Sequence, residues 1–173
     1  SHRWRCVVVV VGQTKPVALA AAKFWKMKDD ISFIKSVDSG ILDYEDVSKP
    51  SPTTTIVYYS YKLPPGLKNR DFLVKSENRV QPEKGVYESI QRSTVDVQKP
   101  EVPKKFIRAF MFNYTRLERV ETAPGEPEAH ESIQLFCTDL RGKIPMSVLQ
   151  KAITSLSNNA VKKKTKVALN SPR

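Results

Sequence analysis

Turns that contain proline or glycine divide residues 41–141 into six segments rich in β-branched and aromatic side chains. Such segments favour strands, and the short connections between most of them favour an antiparallel meander. A seventh strand is predicted at residues 4–12, because five consecutive valines disfavour a helix. The other predicted strands cover residues 41–48, 53–62, 70–81, 86–95, 104–121 and 130–140.

Helices are predicted on either side of the six segments. Pro16 suits the first turn of one short helix, and Asp29 and Asp30 suit the start of a second short helix at 29–35. A longer helix is predicted after Pro145, where apolar residues recur at helical spacing along one stripe. The stripe consists of Leu149, Ala152, Ile153, Leu156 and Ala160.

The predicted fold class is α+β, in a single domain that covers residues 1–173. An antiparallel sheet of about seven strands cannot stay flat, because strands twist. We expect the sheet to curve and wrap around the long C-terminal helix, with the two short helices placed after the first strand. The space between sheet and helix would then form a cavity suited to an apolar small molecule.

The sequence offers little support for catalysis or metal binding. His2 and His130 are the two histidines, and neither has a cysteine or serine in a recognisable nucleophile setting. Metal-ligand motifs and phosphate-binding glycine loops are absent from the sequence. We therefore expect no enzymatic activity, no metal and no cofactor. Cys6 and Cys137 are too few for a disulfide framework, and we expect buried free thiols in a reducing, cytoplasmic compartment.

The net charge of +11 is expected to attract the protein to anionic surfaces, although it also serves solubility. Because no zinc-finger, cold-shock or RNA-recognition motif accompanies the charge, we expect a membrane surface as partner and no nucleic acid. The sequence lacks the run of about 18 apolar residues that a membrane-spanning helix needs. Membrane contact would therefore be peripheral.

The loop at residues 62–69 combines features that usually exclude each other. It contains two consecutive prolines and a glycine, which cannot continue a strand ladder. It also contains Leu63 and Leu67, next to lysines that include Lys68. Apolar residues on such a loop either fold back as a lid or are offered to a membrane. A third alternative is that Leu67 only packs on a neighbouring loop.

Alternation along the strand at 70–81 separates two faces. Phe72, Val74, Ser76 and Asn78 share one face, which we assign to the cavity. Buried polar groups need partners, so Ser76 and Asn78 would meet a ligand head group, each other, or a buried water.

Two tyrosines of the preceding strand, Tyr59 and Tyr61, are expected across from these polar residues. Each offers a hydroxyl, or an aromatic face for a quaternary ammonium group such as choline. The alternative is that both are core tyrosines with solvated hydroxyls.

Several short motifs resemble those of the START (StAR-related lipid transfer) domain family. The two most specific are Arg70-Asp71-Phe72 and Asp139-Leu140-Arg141-Gly142-Lys143-Ile144-Pro145. The motifs occur in an order and spacing similar to the family over residues 24–164. The resemblance implies a helix-grip fold and a lipid-binding cavity.

The chain also departs from the family pattern. The further helix and two strands with which START domains usually begin are missing before Trp4. Sterol- and phosphatidylcholine-binding members place a cavity arginine where this chain has Ser76. Ceramide-binding members are similar here, but their other amide-recognising positions fall at Ile34, Tyr59 and Gln91, which keep only a partial polar set. The motifs therefore do not imply one particular lipid.

The resemblance implies that a monomer binds one lipid and transfers it between membranes. A phospholipid is favoured over a sterol or ceramide, because the cavity positions are neutral and polar while the surface is basic. The alternatives are a lipid-sensing domain of a larger protein without transfer activity and, less favoured, an enzyme of the same fold. The expected cavity residues are Tyr59, Tyr61, Phe72, Val74, Ser76, Asn78, Gln91, Leu149, Ile153 and Leu156. The expected gate and membrane contacts are Leu63, Leu67, Lys68, Lys162 and Lys163.

Overall fold

The computed structural model describes residues 9–12, 17–18, 25, 28–125, 129–145, 147–148, 150–151 and 154. Within this part of the chain, nine strands form one sheet, accompanied by a helix, α1 (Ile31–Val37), and a 3-10 turn (Pro82–Lys84). The strands are β1 (Val9–Gly12), β2 (Val17–Ala18), β3 (Ile41–Ser51), β4 (Thr54–Tyr61), β5 (Arg70–Gln81), β6 (Val86–Ser93), β7 (Ile107–Arg108), β8 (Phe110–Val120) and β9 (Ala129–Asp139).

Seven strands form a continuous antiparallel path through the sheet, in the order β1-β9-β8-β6-β5-β4-β3. The two-residue strand β2 pairs with β9, and β7 pairs in parallel with the start of β5. The predicted curved antiparallel sheet of about seven strands is therefore confirmed.

The predicted strand boundaries agree best with the observed ones where proline and glycine turns separate the strands. β5 covers the predicted segment 70–81, and Gly85, with a φ of 64°, closes the turn into β6. The prediction of one strand at 104–121 is wrong, because this segment changes partner within its length. Residues of β7 pair with β5, whereas β8 lies between β6 and β9. Strand propensity does not specify a partner, so the sequence could not reveal the change.

The N-terminal helix was predicted to begin at Pro16. Val17 and Ala18 instead form β2 and pair with the start of β9, so the prediction is wrong at these two residues. The sequence pattern of small and apolar residues fits a packed helix and a packed strand equally well, and pairing with β9 decides between them.

The second short helix was predicted close to where α1 lies. Asp30 caps α1, because its Oδ1 accepts a hydrogen bond from the backbone nitrogen of Phe33 at 2.8 Å. Helical backbone is also described at 147–148, 150–151 and 154, but the rest of the predicted C-terminal helix lies outside the described residues. No helix in the described part of the chain is long and apolar enough to cross a membrane.

The expectation of free thiols is wrong for Cys137, which is disulfide-bonded. Cys6, the other cysteine of the sequence, lies outside the described residues. β1 pairs along the part of β9 that carries Cys137, with Val9 opposite Phe136. This long-range pairing brings β1, from the N-terminal part of the sequence, alongside β9, and the number of cysteines in the sequence does not reveal it.

The buried core lies mainly on one face of the sheet, the face that carries Phe72 and Val74. We call it the inner face; residues paired across antiparallel strands share a face. A buried cluster occupies the inner face near the start of β5 and consists of Val57, Phe72, Val74, Ala109 and Met111. Partly buried residues packed against it are Tyr44, Tyr59, Tyr61, Phe136 and Leu140.

Three loops, 62–69, 94–106 and 140–145, meet at the start of β5, and we call this region the loop end. Arg70 is 2% exposed and joins the first loop to the third. Its guanidinium donates hydrogen bonds to the backbone carbonyls of Lys68, Leu140 and Arg141. Desolvation by burial lowers the pKa of Arg70, and the carbonyl oxygens compensate its charge.

A buried ion pair fixes the second loop against β5. Arg108 Nη2 lies 2.9 Å from Asp71 Oδ2, and both side chains are buried. The same nitrogen donates to the backbone carbonyls of Lys99 at 3.2 Å and Pro100 at 3.4 Å. Arg108 therefore serves both as the partner of a buried carboxylate and as an anchor for the loop 94–106.

Replacement of Arg108 by methionine is expected to lower the free energy of unfolding by about 3–5 kcal/mol, because Asp71 would remain as a buried carboxylate without a partner. Chemical denaturation of the purified variant measures this loss. The double variant Asp71→Leu/Arg108→Met is the control and should recover much of it, since it leaves no buried charge. A single variant as stable as the parent would contradict this account.

Candidate functional site

The polar residues predicted on the inner face of β5 are paired with polar residues of β6. Ser76 lies opposite Gln91, and Asn78 lies opposite Ser89, so all four side chains share the inner face. Ser76 and Ser89 are 2% and 3% exposed. The register between two strands thus gathers buried polar groups from positions that are separate in the sequence.

Side-chain amides extend this polar region across β8 and β9. Asn113 Nδ2 donates to Gln91 Oε1 at 3.1 Å, and Gln134 Nε2 donates to Asn113 Oδ1 at 3.0 Å. Thr115 of β8 is paired with Ser89 of β6 on one side and with Gln134 of β9 on the other. We call the whole set the polar band: Ser76, Asn78, Ser89, Gln91, Asn113, Thr115 and Gln134. None of these side chains carries a charge.

Apolar residues flank the polar band in both directions along the strands. Toward the loop end lies the buried cluster that contains Phe72 and Val74. In the other direction, Tyr87 and Leu117 are paired neighbours with 8% and 0% exposure. A molecule lying along the inner face would meet apolar surface, then neutral hydrogen-bonding groups, then apolar surface again. An amphipathic molecule, with a polar group for the band and apolar parts for the flanking surface, matches this arrangement.

Three oxygens of the polar band lack hydrogen-bond partners. Within the described part of the chain, Ser76 Oγ, Asn78 Oδ1 and Ser89 Oγ are buried and unpaired. Each buried unpaired group costs about 1–3 kcal/mol. Three such groups cost about 3–9 kcal/mol, a large fraction of the roughly 5–15 kcal/mol that stabilises a domain. Because Ser76 and Asn78 do not bond each other, a ligand or a buried water remains as the partner that the sequence analysis foresaw.

Tyr59 and Tyr61 share the inner face but do not lie across from Ser76 and Asn78, so that expectation is wrong. Both tyrosines pair with residues nearer the start of β5, where Tyr59 is opposite Phe72. The reason is the loop 62–69, which closes at its base so that the last residue of β4 pairs with the first residue of β5.

Both tyrosine hydroxyls are engaged within the protein. Tyr59 donates to Met111 Sδ at 2.7 Å, and its ring stacks on Phe72 with centroids 4.9 Å apart. Burial raises the pKa of Tyr59, so its hydroxyl stays protonated as a donor. Tyr61 donates to Asp38 Oδ1 at 3.2 Å. These contacts favour the core role over the ligand-binding role that the sequence left open.

The loop 62–69 is folded back on itself. Leu63 is 5% exposed, and its backbone nitrogen donates to Asn69 Oδ1 at 3.1 Å. The backbone nitrogen of Leu67 donates to the carbonyl of Pro64 at 3.2 Å, and the Leu67 side chain is half-buried. Leu63 therefore belongs to the protein interior, whereas Leu67 remains partly accessible.

Sequence reasoning missed four members of the polar band: Ser89, Asn113, Thr115 and Gln134. The alternation of side chains along β6, β8 and β9 was the available signal. Each of the four missed residues lies an even number of positions from another inner-face residue of the same strand. Which parity faces inward follows only from the pairing. The remaining predicted site residues lie outside the described residues; they are Leu149, Ile153, Leu156, Lys162 and Lys163.

Comparison with known proteins finds no matching family model and no matching curated protein. Solved structures do match. Human STARD10 superposes with a TM-score of 0.75 at 22% sequence identity, over 98% of this chain and 74% of that chain. The fold is that of a START domain. The StarD13 lipid transfer and protein localization domain and StAR-related lipid transfer protein 5, both human, give TM-scores of 0.70 and 0.71. Their identities are 12% and 17%, over 95% of this chain and 89% and 86% of theirs.

The residues that carry the START resemblance lie at the loop end and not in the polar band. Arg70 and Asp71 make the buried contacts that hold the three loops, and the stretch 139–145 supplies two of the carbonyls that Arg70 binds. In this chain, Arg70, Asp71 and the stretch 139–145 therefore stabilise the loop end.

Replacement of Ser76 or Ser89 by alanine is expected to leave the free energy of unfolding of lipid-free protein unchanged, or to raise it by up to about 1 kcal/mol. The physical reason is that each change removes a buried hydroxyl that makes no hydrogen bond. Thermal and chemical denaturation of delipidated protein measure the effect.

Ser60→Ala is the matched control for this prediction. Ser60 is 0% exposed, and its Oγ donates to Asp43 Oδ2 at 2.9 Å. Its replacement should therefore destabilise the protein by about 1–3 kcal/mol. Equal destabilisation by Ser76→Ala and Ser60→Ala would mean that Ser76 is satisfied within the protein.

Proposed function

We propose that this chain binds one lipid against the inner face of its sheet and transfers it between membranes, acting as a monomer. The polar band carries the proposal, because neutral and unpaired hydrogen-bonding groups lie between two apolar surfaces. The names of two similar structures, a lipid transfer domain and a lipid transfer protein, support it. Binding requires no covalent chemistry, since burial of each CH₂ group contributes roughly 0.8 kcal/mol.

We propose a phospholipid as the ligand. The hydroxyls of Ser76 and Ser89 can donate to ester or phosphate oxygens, whereas Asn78 Oδ1 requires a donor. An ethanolamine or a hydroxyl-bearing head group supplies that donor, and choline does not. The basic surface, with a net charge of +11, favours contact with the anionic membranes from which such lipids are drawn. A sterol or a ceramide is the alternative ligand.

Native mass spectrometry of the purified protein is expected to detect one bound lipid with the mass of a phospholipid. Ser76→Trp should fill the inner face beside the polar band, abolish lipid binding and leave the far-ultraviolet circular dichroism unchanged. Uptake of a fluorescent lipid from vesicles measures the same loss in solution.

Exposed positions provide the control for the tryptophan change. Arg79→Trp alters an exposed side chain of the same strand that lies on the outer face, opposite to Ser76 and Asn78, and should not affect lipid uptake. The proposal fails if the purified parent protein carries no lipid and if delipidated protein also takes up no lipid when it is incubated with vesicles. A bound sterol or ceramide would change the ligand but keep the function, and binding without transfer would indicate a lipid-sensing domain.

We further propose that loop 62–69 is the gate through which the lipid passes. Its attachments differ along its length: Leu63 is buried, the carbonyl of Lys68 is held by Arg70, and Leu67 is partly accessible. The middle of the loop is therefore the part that can swing without breaking the buried contacts at its base.

Leu67→Asp is expected to lower the melting temperature little but to reduce vesicle binding and lipid extraction strongly, because an aspartate entering a bilayer is costly whereas an exposed one is not. Differential scanning calorimetry and a vesicle-to-vesicle transfer assay give the two readings. Leu67→Met keeps an apolar side chain and should retain transfer. A large fall in melting temperature, or unchanged transfer, would leave Leu67 with a packing role only.

A further inference from the structure

The loop 94–106 presents the most exposed apolar side chains in the described part of the chain. Val95, Val97 and Val102 are 89%, 94% and 51% exposed. The other exposed large hydrophobic residues described lie between 36% and 45%. Single exposed valines are ordinary on a protein surface, but three exposed valines on one loop can indicate a contact surface.

Hydrogen bonds fix the backbone of the loop that carries these exposed valines. The backbone nitrogen of Thr94 donates to the carbonyl of Leu73 at 3.0 Å, and that of Ile107, directly after the loop, donates to the carbonyl of Asn69 at 3.1 Å. Between these points, Arg108 binds two carbonyls of the loop. The loop is therefore attached at both ends and in its middle, and its valines are directed away from the buried contacts.

Positive charge accompanies the valines. Lys104 and Lys105 are exposed, and neither forms an ion pair within the described residues. Two acidic residues also lie on the loop: Asp96 Oδ1 accepts a hydrogen bond from the backbone nitrogen of Gln98 at 2.8 Å, and Glu101 is 3.7 Å from Arg141, which offsets its charge. Apolar side chains beside unpaired lysines are complementary to an anionic lipid bilayer, whose interface accepts the former and whose head groups attract the latter.

The loop 94–106 is also bonded to the proposed gate. Lys68 Nζ donates to the carbonyl of Pro103 at 2.6 Å, and the backbone nitrogen of Ile107 donates to the carbonyl of Asn69 at 3.1 Å. A membrane that bound the valine loop would therefore also lie close to loop 62–69.

From these observations we infer that loop 94–106 is a membrane-docking element, in which Val95, Val97 and Val102 enter the bilayer interface and Lys104 and Lys105 contact anionic head groups. The inference rests on the proposed lipid-transfer function and gives it a docking surface separate from the gate. Docking through this loop brings the loop end, and not the outer face of the sheet, to the bilayer.

The test uses the double variant Val95→Asp/Val97→Asp and flotation with phosphatidylcholine vesicles that contain phosphatidylserine. The partition coefficient should fall by about tenfold or more, because two apolar contacts are lost and two negative charges are added near an anionic surface. The melting temperature should not change, since both side chains are almost fully exposed in the parent. Ile90→Asp/Ile133→Asp is the matched control, because it adds the same two charges at partly exposed positions, 39% and 45%, on the outer face of the sheet, and it should bind vesicles as the parent does.

A second variant tests the charge. Lys104→Gln/Lys105→Gln should weaken partition onto vesicles that contain phosphatidylserine and have little effect on pure phosphatidylcholine vesicles. High salt should reduce binding of the parent and bring it close to that of this variant.

Lipid content distinguishes failure of the inference from failure of the proposed function. The expected result is that the aspartate variant still carries lipid by native mass spectrometry but partitions and transfers poorly. If the parent carries lipid and the variant Val95→Asp/Val97→Asp partitions as the parent does, or if the control Ile90→Asp/Ile133→Asp loses partition equally, the docking role of the loop is wrong. A parent that carries no lipid contradicts the proposed function, whereas the partition measurements still decide the docking role.

Discussion

The buried guanidinium of Arg70 is the interaction on which the arrangement of the loop end depends. It binds backbone carbonyls of two loops that are far apart in the sequence, and among the described residues it has no carboxylate partner. Removal of this side chain would break three hydrogen bonds from a charged donor, which is costly. The adjacent Asp71 pairs with Arg108 and adds the third loop. Two consecutive residues of β5 therefore fix three loops.

The residues that stabilise the fold are different from the residues that we propose to bind the ligand. The charged residues at the loop end pair with one another or with backbone carbonyls, so they maintain the structure, although Asp71 Oδ1 and Arg108 Nε have no partner among the described residues. Further along β5, Ser76 Oγ and Asn78 Oδ1 are buried without partners in the described part of the chain. A folded domain retains such a cost where the groups are used, and here they lie between two apolar surfaces. The lipid that we propose would satisfy both the polar and the apolar parts of the inner face.

The loop end brings together the two loops for which we propose roles at a membrane. The proposed gate, loop 62–69, is bonded to loop 94–106, which carries exposed valines and lysines. Because buried arginines hold the bases of both loops, contact of a membrane with the loop tips would not require the sheet to unfold. The proposed docking and gating would then take place side by side.

Several features followed from the sequence because they depend on local chemistry. The turn residues bounded β5 at Arg70–Gln81, the alternation of Phe72, Val74, Ser76 and Asn78 assigned their shared face, and an acidic residue marked the start of α1. The antiparallel sheet itself was predictable, since successive β-forming segments were joined mainly by short turns. The residues that carry the START resemblance are contiguous in the sequence, and in this chain they make the buried contacts of the loop end.

Other features were decided only by the tertiary structure. The segment 104–121 divides into β7 and β8, Val17 and Ala18 join the sheet, and Cys137 is disulfide-bonded, all through pairing with distant segments. The polar band has the same origin, because Gln91, Asn113 and Gln134 become neighbours through the register of three strands. By itself, the sequence determined which segments form strands and which residues alternate along them. It did not determine which strands meet or in what register, because that choice depends on the packing and hydrogen bonding of segments far apart in the chain.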